Sequence, residues 1–190
     1  KTYSDIPFYN EFSYLNGNLE DEYYKEDIYV GYRYFDSFDI EPKYCFGYGK
    51  SYTDFEISTE NVVLNGTEVT VTAKVKNTGN IYSGKEVVQV YISAPCGRLC
   101  KEYQSLAGFV KTKIIAPGET DTVTVTFDLK NHASYSETEA QYILEKGEYV
   151  VRVGNSSRNT QPVAAVVLDN DAIVSQHQNI CPVTEKFETL

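Results

Sequence analysis

An all-β sandwich of about seven short strands, entered through an irregular N-terminal segment, is the fold this sequence predicts. Three observations carry it. Beyond Tyr48 the apolar residues recur with a period of two, Gly, Pro and Asn clusters interrupt that pattern at short intervals, and aliphatic rows rather than cysteines supply the core.

The first strand is expected at Thr53 to Ile57. In the next, Val69, Val71, Ala73 and Val75 alternate with Thr70, Thr72 and Lys74, so one face is apolar and the other polar, as a half-buried antiparallel strand requires. Asn65-Gly66 before it and Asn77-Thr78-Gly79-Asn80 after it are turn signals. Val88, Val90 and Ile92 form an inward row within Glu86 to Ser93, and a further strand is placed around Leu106 to Lys111. Val123, Val125, Phe127 and Leu129 repeat the alternation between Pro117-Gly118 and Asn131. A polar loop follows over Asn131 to Ala140, after which Tyr142 and Leu144 lead through Lys146-Gly147 into Tyr149, Val151 and Val153. Val163 to Leu168, almost wholly apolar, reads as a strand that is either near an edge or covered on both faces. From Asp169 the strand pattern ends, with Ile173-Val174 and Ile180 to Val183 able to pack back on the body. Together these predict a β-sandwich of immunoglobulin or fibronectin III type.

Composition narrows the partners. A net charge of -10 argues against binding a phosphate backbone, which needs clustered Lys and Arg, and no apolar run reaches membrane-spanning length, so neither nucleic acid nor membrane is expected. The sequence contains no methionine and is read as part of a longer protein. Cys45, Cys96, Cys100 and Cys181 are too few to staple a core that valines already build, so they are expected as free thiols. Cys96-Gly97-Arg98-Leu99-Cys100 lacks the second pair that structural zinc wants, and no metal or cofactor is expected. Asn65-Gly66-Thr67 and Asn155-Ser156-Ser157 match the glycosylation acceptor pattern but fall at expected turns.

The segment before the sandwich is polar, acidic and rich in tyrosine. Tyr23, Tyr24, Tyr29, Tyr32, Tyr34 and Phe35 are too many rings for a free linker, and they suit packing against a neighbouring domain better than a sugar-stacking platform. Residues 1–40 are expected to be mobile, or to drive self-association, once that neighbour is missing. Arg33 and Asp36 are expected to form a buried structural ion pair.

Two motifs in this region, Val30-Gly31-Tyr32-Arg33-Tyr34-Phe35-Asp36 and Phe46-Gly47-Tyr48-Gly49-Lys50-Ser51-Tyr52-Thr53-Asp54-Phe55, resemble the junction between the α/β sandwich and fibronectin III-like domains of family 3 glycoside hydrolases, the β-glucosidases and their relatives. The likeness continues through Val71 to Gly79, Gly84 to Tyr91, Leu106 to Lys111, Ala116 to Glu119 and Gly147-Glu148-Tyr149. It implies residues 1–43 as the tail of the α/β sandwich domain and junction, 44–168 as the fibronectin III-like domain, and 169–190 as an extension or a linker to a further domain. In such a family a barrel Asp is the nucleophile and a second carboxylate the acid/base of a retaining mechanism, with the two carboxyl groups about 5 Å apart. Neither motif occurs here, so no catalytic, cofactor or metal residue is assigned. His132 and His177 are read as surface residues.

The resemblance thus implies a non-catalytic module that braces the barrel and α/β sandwich domains of a β-glucosidase-like or β-xylosidase-like hydrolase, touching glycoside only through that parent. A carbohydrate- or protein-binding β-sandwich is the alternative reading of the residues. An adhesion domain fits the fold and leaves the junction motif unexplained.

Overall fold

The structure, a computed structural model, describes residues 2–11, 17, 20–182 and 187–190. Among these, ten strands follow a short N-terminal helical region: β1 Phe55–Asn65, β2 Glu68–Asn77, β3 Val87–Ser93, β4 Ser105–Lys111, β5 Thr120–Asp128, β6 Ser134–Ser136, β7 Gln141–Leu144, β8 Gly147–Ser156, β9 Asn159–Leu168 and β10 Ala172–Gln176. The α1 helix, Tyr32–Ser37, precedes them all.

Two antiparallel sheets, ordered β1-β2-β5 and β4-β3-β8-β9, face each other across the core. The alternation that predicts β2 and β5 places Val69, Val71, Ala73 and Val75 opposite Phe127, Val125, Val123 and Asp121 in register, so the valine faces coincide. Val71, Val75, Val88, Val90, Val125, Phe127 and Val151 are all buried in one cluster, as the inward rows require. Phe127 and Tyr149 are inner-face aromatics.

Turn chemistry sets the registers. Gly66 takes the left-handed backbone (φ 63°) between β1 and β2, where Asn65 pairs with Glu68. Asn77 is fully buried: its amide donates to the Tyr82 and Ile115 carbonyls, both at 2.9 Å, while its Oδ1 accepts from Thr53 Oγ1 at 2.6 Å. Every polar atom of this buried side chain is therefore partnered, which removes the desolvation cost that an apolar setting would impose. Residues Thr53, Tyr82 and Ile115 are tied to the end of β2 through it.

The structure departs from the sequence expectation in the strand count and in the tail. The loop expected over Asn131 to Ala140 contains a 3-10 turn, Leu129–His132, and then β6. Beyond Leu168, where the strand pattern was expected to end, β10 pairs with β7, making a small third sheet ordered β10-β7-β6. Val174 packs on the core, whereas Ile173 and the stretch Ile180 to Pro182 are exposed. Val183 lies outside the described residues, as do Lys1 and several residues between positions 12 and 19. Strand β9 is an edge strand with one face in contact with the core, and Pro162 within it falls at a register shift, as an edge tolerates.

Candidate functional site

Strand β3 lies between β4 and β8, and both of its faces are buried. Val88, Val90 and Ile92 point into the sandwich, while Gln89 and Tyr91, on the opposite side, would meet water if the sheet were bare. The junction segment covers them. Tyr32 sets its ring edge-on to Tyr91, centroids 6.1 Å apart, and stacks on Phe46 at 4.6 Å. The Tyr32 hydroxyl accepts from the Leu106 N–H of β4 at 2.8 Å.

Beneath Phe46, Gly47 (φ 81°) passes so close to Gln89 that a Cβ would come 2.3 Å from its amide nitrogen. Only glycine meets both demands. Gln89 donates to the Asn155 carbonyl at 2.7 Å and accepts from the Tyr91 hydroxyl. Burial, reinforced by Tyr32, Asp36 and Cys45, pushes the Tyr91 phenol far above its ordinary range, so it stays a neutral donor.

One cation anchors α1. Arg158, in the turn between β8 and β9, approaches Asp36 Oδ1 with its Nε at 2.8 Å and donates to the Phe35 and Ile40 carbonyls at 2.7 and 3.0 Å. Gln104, fully buried, donates to Asp36 Oδ2 at 3.2 Å and to the Ser157 carbonyl. Ser37 Oγ accepts from the Tyr103 N–H at 2.9 Å. The expected Arg33–Asp36 pair is thus corrected: Arg33 faces Glu102 at 3.8 Å, and Asp36 is matched by Arg158 from the far end of the sequence. Residues 29 to 47 also contribute side chains that pack on this chain's own sheet, so not all of the junction is left for a neighbouring domain.

What the junction does not bury is equally specific. Tyr44, Tyr48 and Tyr52 are 61%, 51% and 91% exposed, beside the exposed Phe46 and Tyr82. Tyr44 lies 5.1 Å from Tyr48, and Tyr52 6.0 Å from Tyr82. A pocket of about 220 Å³ opens between Tyr44, Phe46, Pro42 and Tyr32.

A second anchor holds the loop between β3 and β4. Glu145 is buried and accepts from the Arg98 N–H at 2.8 Å, from the Leu99 N–H and from the Lys101 ammonium. Burial pushes this carboxyl up, but the Lys101 contact and the two N–H donors outweigh it and hold it below the ordinary range. Gly97 leaves room for it: a Cβ there would come 2.6 Å from the carboxylate. Cys96 and Cys100 flank this loop as exposed free thiols, and no group of three metal-ligating side chains occurs among the described residues.

Asp36 and Glu145, the buried carboxylates among the described residues, are each matched by a cation. His132, expected at the surface, is half-buried against the Phe127 ring and shares a hydrogen bond with Ser105 at 3.0 Å. Burial lowers its pKa. His177 is exposed and lies edge-on to Tyr142. Sequence reasoning did not find Arg158, Gln104 or Gln89. Arg158 follows a turn signal without distinguishing charge pattern, whereas a glutamine facing out of a strand flanked by valines was a usable sign of a second covered face.

Residues 86–157 match the family model for a fibronectin type III-like domain. A β-glucosidase of Ruminococcus albus is 42% identical over 174 residues, covering 88% of this chain and 18% of that protein. Among solved structures, a β-glucosidase from Paenibacillus barengoltzii superposes with a TM-score of 0.87 at 38% identity over 93% of this chain and 20% of that one. β-Glucosidase 3B from Thermotoga neapolitana, solved with glucose, gives 0.81 at 43% identity, covering 90% and 24%. The chain spans about a fifth of the length of these relatives.

Proposed function

Because the chain belongs to the family 3 glycoside hydrolases as their fibronectin III-like, non-catalytic portion, we propose that it braces the catalytic domains of a longer protein through the face formed by Tyr44, Phe46, Tyr48 and Tyr52. The observation that carries this reading is the division of labour within the junction. Tyr32, Asp36 and Gly47 are spent on the chain's own sheet, while Tyr44, Tyr48 and Tyr52 turn outward, and exposed aromatic rings of this kind suit a partner surface. Tyrosine suits such a place, since its ring buries apolar area and its hydroxyl keeps a polar partner.

On this reading residues 1–43 close an α/β sandwich domain and 44–168 form the fibronectin III-like body. Residues 169–190 extend it, with β10 anchored on β7. The parent is a retaining O-glycosyl hydrolase of β-glucosidase or β-xylosidase type, whose carboxylates come from its other domains.

The experiment is a pair of measurements on Tyr44→Ser, Tyr48→Ser and Tyr52→Ser combined. The thermal midpoint of this chain alone is expected to be unchanged, that of the intact parent to fall, and the chain alone to release nothing from aryl β-glucosides or β-xylosides. An unchanged parent midpoint, or turnover that co-purifies with the chain, overturns the proposal.

A further inference from the structure

A cleft of about 670 Å³ opens between the loop from β3 to β4, the start of α1 and the small sheet. Its volume lies in the range of small-molecule sites. Three features set its chemistry. Tyr135 and Tyr142 are directly opposed cross-strand partners on β6 and β7, both line the cleft, and their rings lie 5.0 Å apart with planes inclined at 52°. Both rings are close to 40% exposed. They have a shared face to offer.

The second feature is unspent hydrogen-bonding capacity. Arg33 and Glu102 face each other at 3.8 Å, too long for a hydrogen bond, and neither side chain makes one to another described residue. The Asn131 amide and the hydroxyls of Tyr135 and Tyr142 are likewise without a protein partner among the described residues, and all of these residues line the same cleft. Donors and acceptors therefore both line the cleft together with the two aromatic rings. The third feature is charge: Arg98 and Lys101 are already matched by Glu139 and Glu145, which leaves Arg33 beside Asp27, Glu102 and Glu137, so an anionic ligand is disfavoured.

We propose that this cleft is a binding site for a short neutral oligosaccharide. Sugar rings present apolar C–H faces that stack on aromatic rings and a girdle of hydroxyls, each both donor and acceptor, which is the complement of what the cleft displays. Two inclined rings suit consecutive sugar units that turn relative to each other, whereas a flat aromatic ligand would contact only one. The site is separate from the Tyr44 to Tyr52 face and is tested on this chain by itself, so it stands or fails independently of the bracing role.

The test is a titration of the 15N-labelled chain with cellotriose, followed by amide shifts, with a tri-lysine and a tri-glutamate peptide as charged controls. Saturable shifts confined to Arg33, Glu102 and the Asn131 to Tyr142 stretch are expected with the sugar and absent with the peptides. Tyr142→Ala and Tyr135→Ala are expected to weaken binding about tenfold each. Tyr52→Ala, at an equally exposed ring elsewhere, is expected to leave it unchanged. Absence of saturation with cellotriose, equal saturation with either peptide, or an affinity indifferent to both cleft tyrosines overturns the assignment. Because both rings are exposed, their removal leaves the core intact, and a thermal midpoint recorded on each variant checks this.

Discussion

Arg158 and Asp36 meet at 2.8 Å, and through that contact a turn between two late strands holds down the helix that precedes the whole sandwich. The carboxylate is almost wholly buried while the guanidinium is about one quarter exposed. Removing the cation therefore leaves a charge stranded in a poor solvent, whereas removing the carboxylate leaves a cation that can still reach water and two carbonyls.

The first prediction follows from that asymmetry. Arg158→Met is expected to cost roughly 3 to 5 kcal/mol in chemical denaturation, the penalty of an orphaned buried charge, and Asp36→Asn clearly less. Arg158→Lys is expected to restore little, because one ammonium cannot reach the carboxylate and both carbonyls together. Equal losses for Arg158→Met and Asp36→Asn would contradict the asymmetry.

A second prediction concerns the core. Val90 and Phe127 lie on opposing sheets in one buried cluster. Replacing Phe127 with Ala is expected to cost roughly 3 to 5 kcal/mol, and Val90 with Ala somewhat less, through lost burial and a residual cavity. Denaturation midpoints unmoved by either change would show the two faces to be assigned the wrong way round.

Much of this body was legible in sequence because one physical signal, alternation of valine with polar residues, specifies β2, β5 and the inner row of β3 at once. Strand β6 was not legible, since three residues are too few to show a period and it is defined only by its pairing with β7. Strand β10 was hidden because its five residues show no alternation of apolar and polar side chains and its register shifts between Ile173 and Ser175. The aromatic junction could be recognised as an interface segment, but which rings face inward depends on where β3 presents Gln89 and Tyr91, and that is a tertiary fact. The ion pairs failed for a related cause: Arg33 is near Asp36 in sequence, while Arg158 reaches it only when β8 and β9 turn beside α1.

The third prediction is a pH dependence. Glu145 binds its proton less readily folded than unfolded, so its contribution to stability is full above the ordinary carboxylate range and is lost as the pH falls through its lower folded value. The denaturation midpoint should therefore drop more steeply with acidification in the native chain than in Glu145→Gln, while at neutral pH the variant is the weaker protein. Parallel pH profiles would contradict this. At the exposed end of the same cluster, the Arg98 hydrogen bond, followed by that of Gln141, depresses Glu139 to about 2, and a carboxyl NMR titration of Arg98→Ala should show it returning toward the ordinary range.

The most direct measurement of the central claim is hydrogen exchange on this chain alone and within the intact parent. Slow exchange is expected at Tyr34, Phe35 and Phe38, whose N–H groups bond within the seated helix, in both samples. Slow exchange across residues 43–52 is expected only in the parent, where the outward tyrosines meet their partner domain. Identical exchange of residues 43–52 in the two samples would show that no domain covers the tyrosine face, and the bracing role would be wrong.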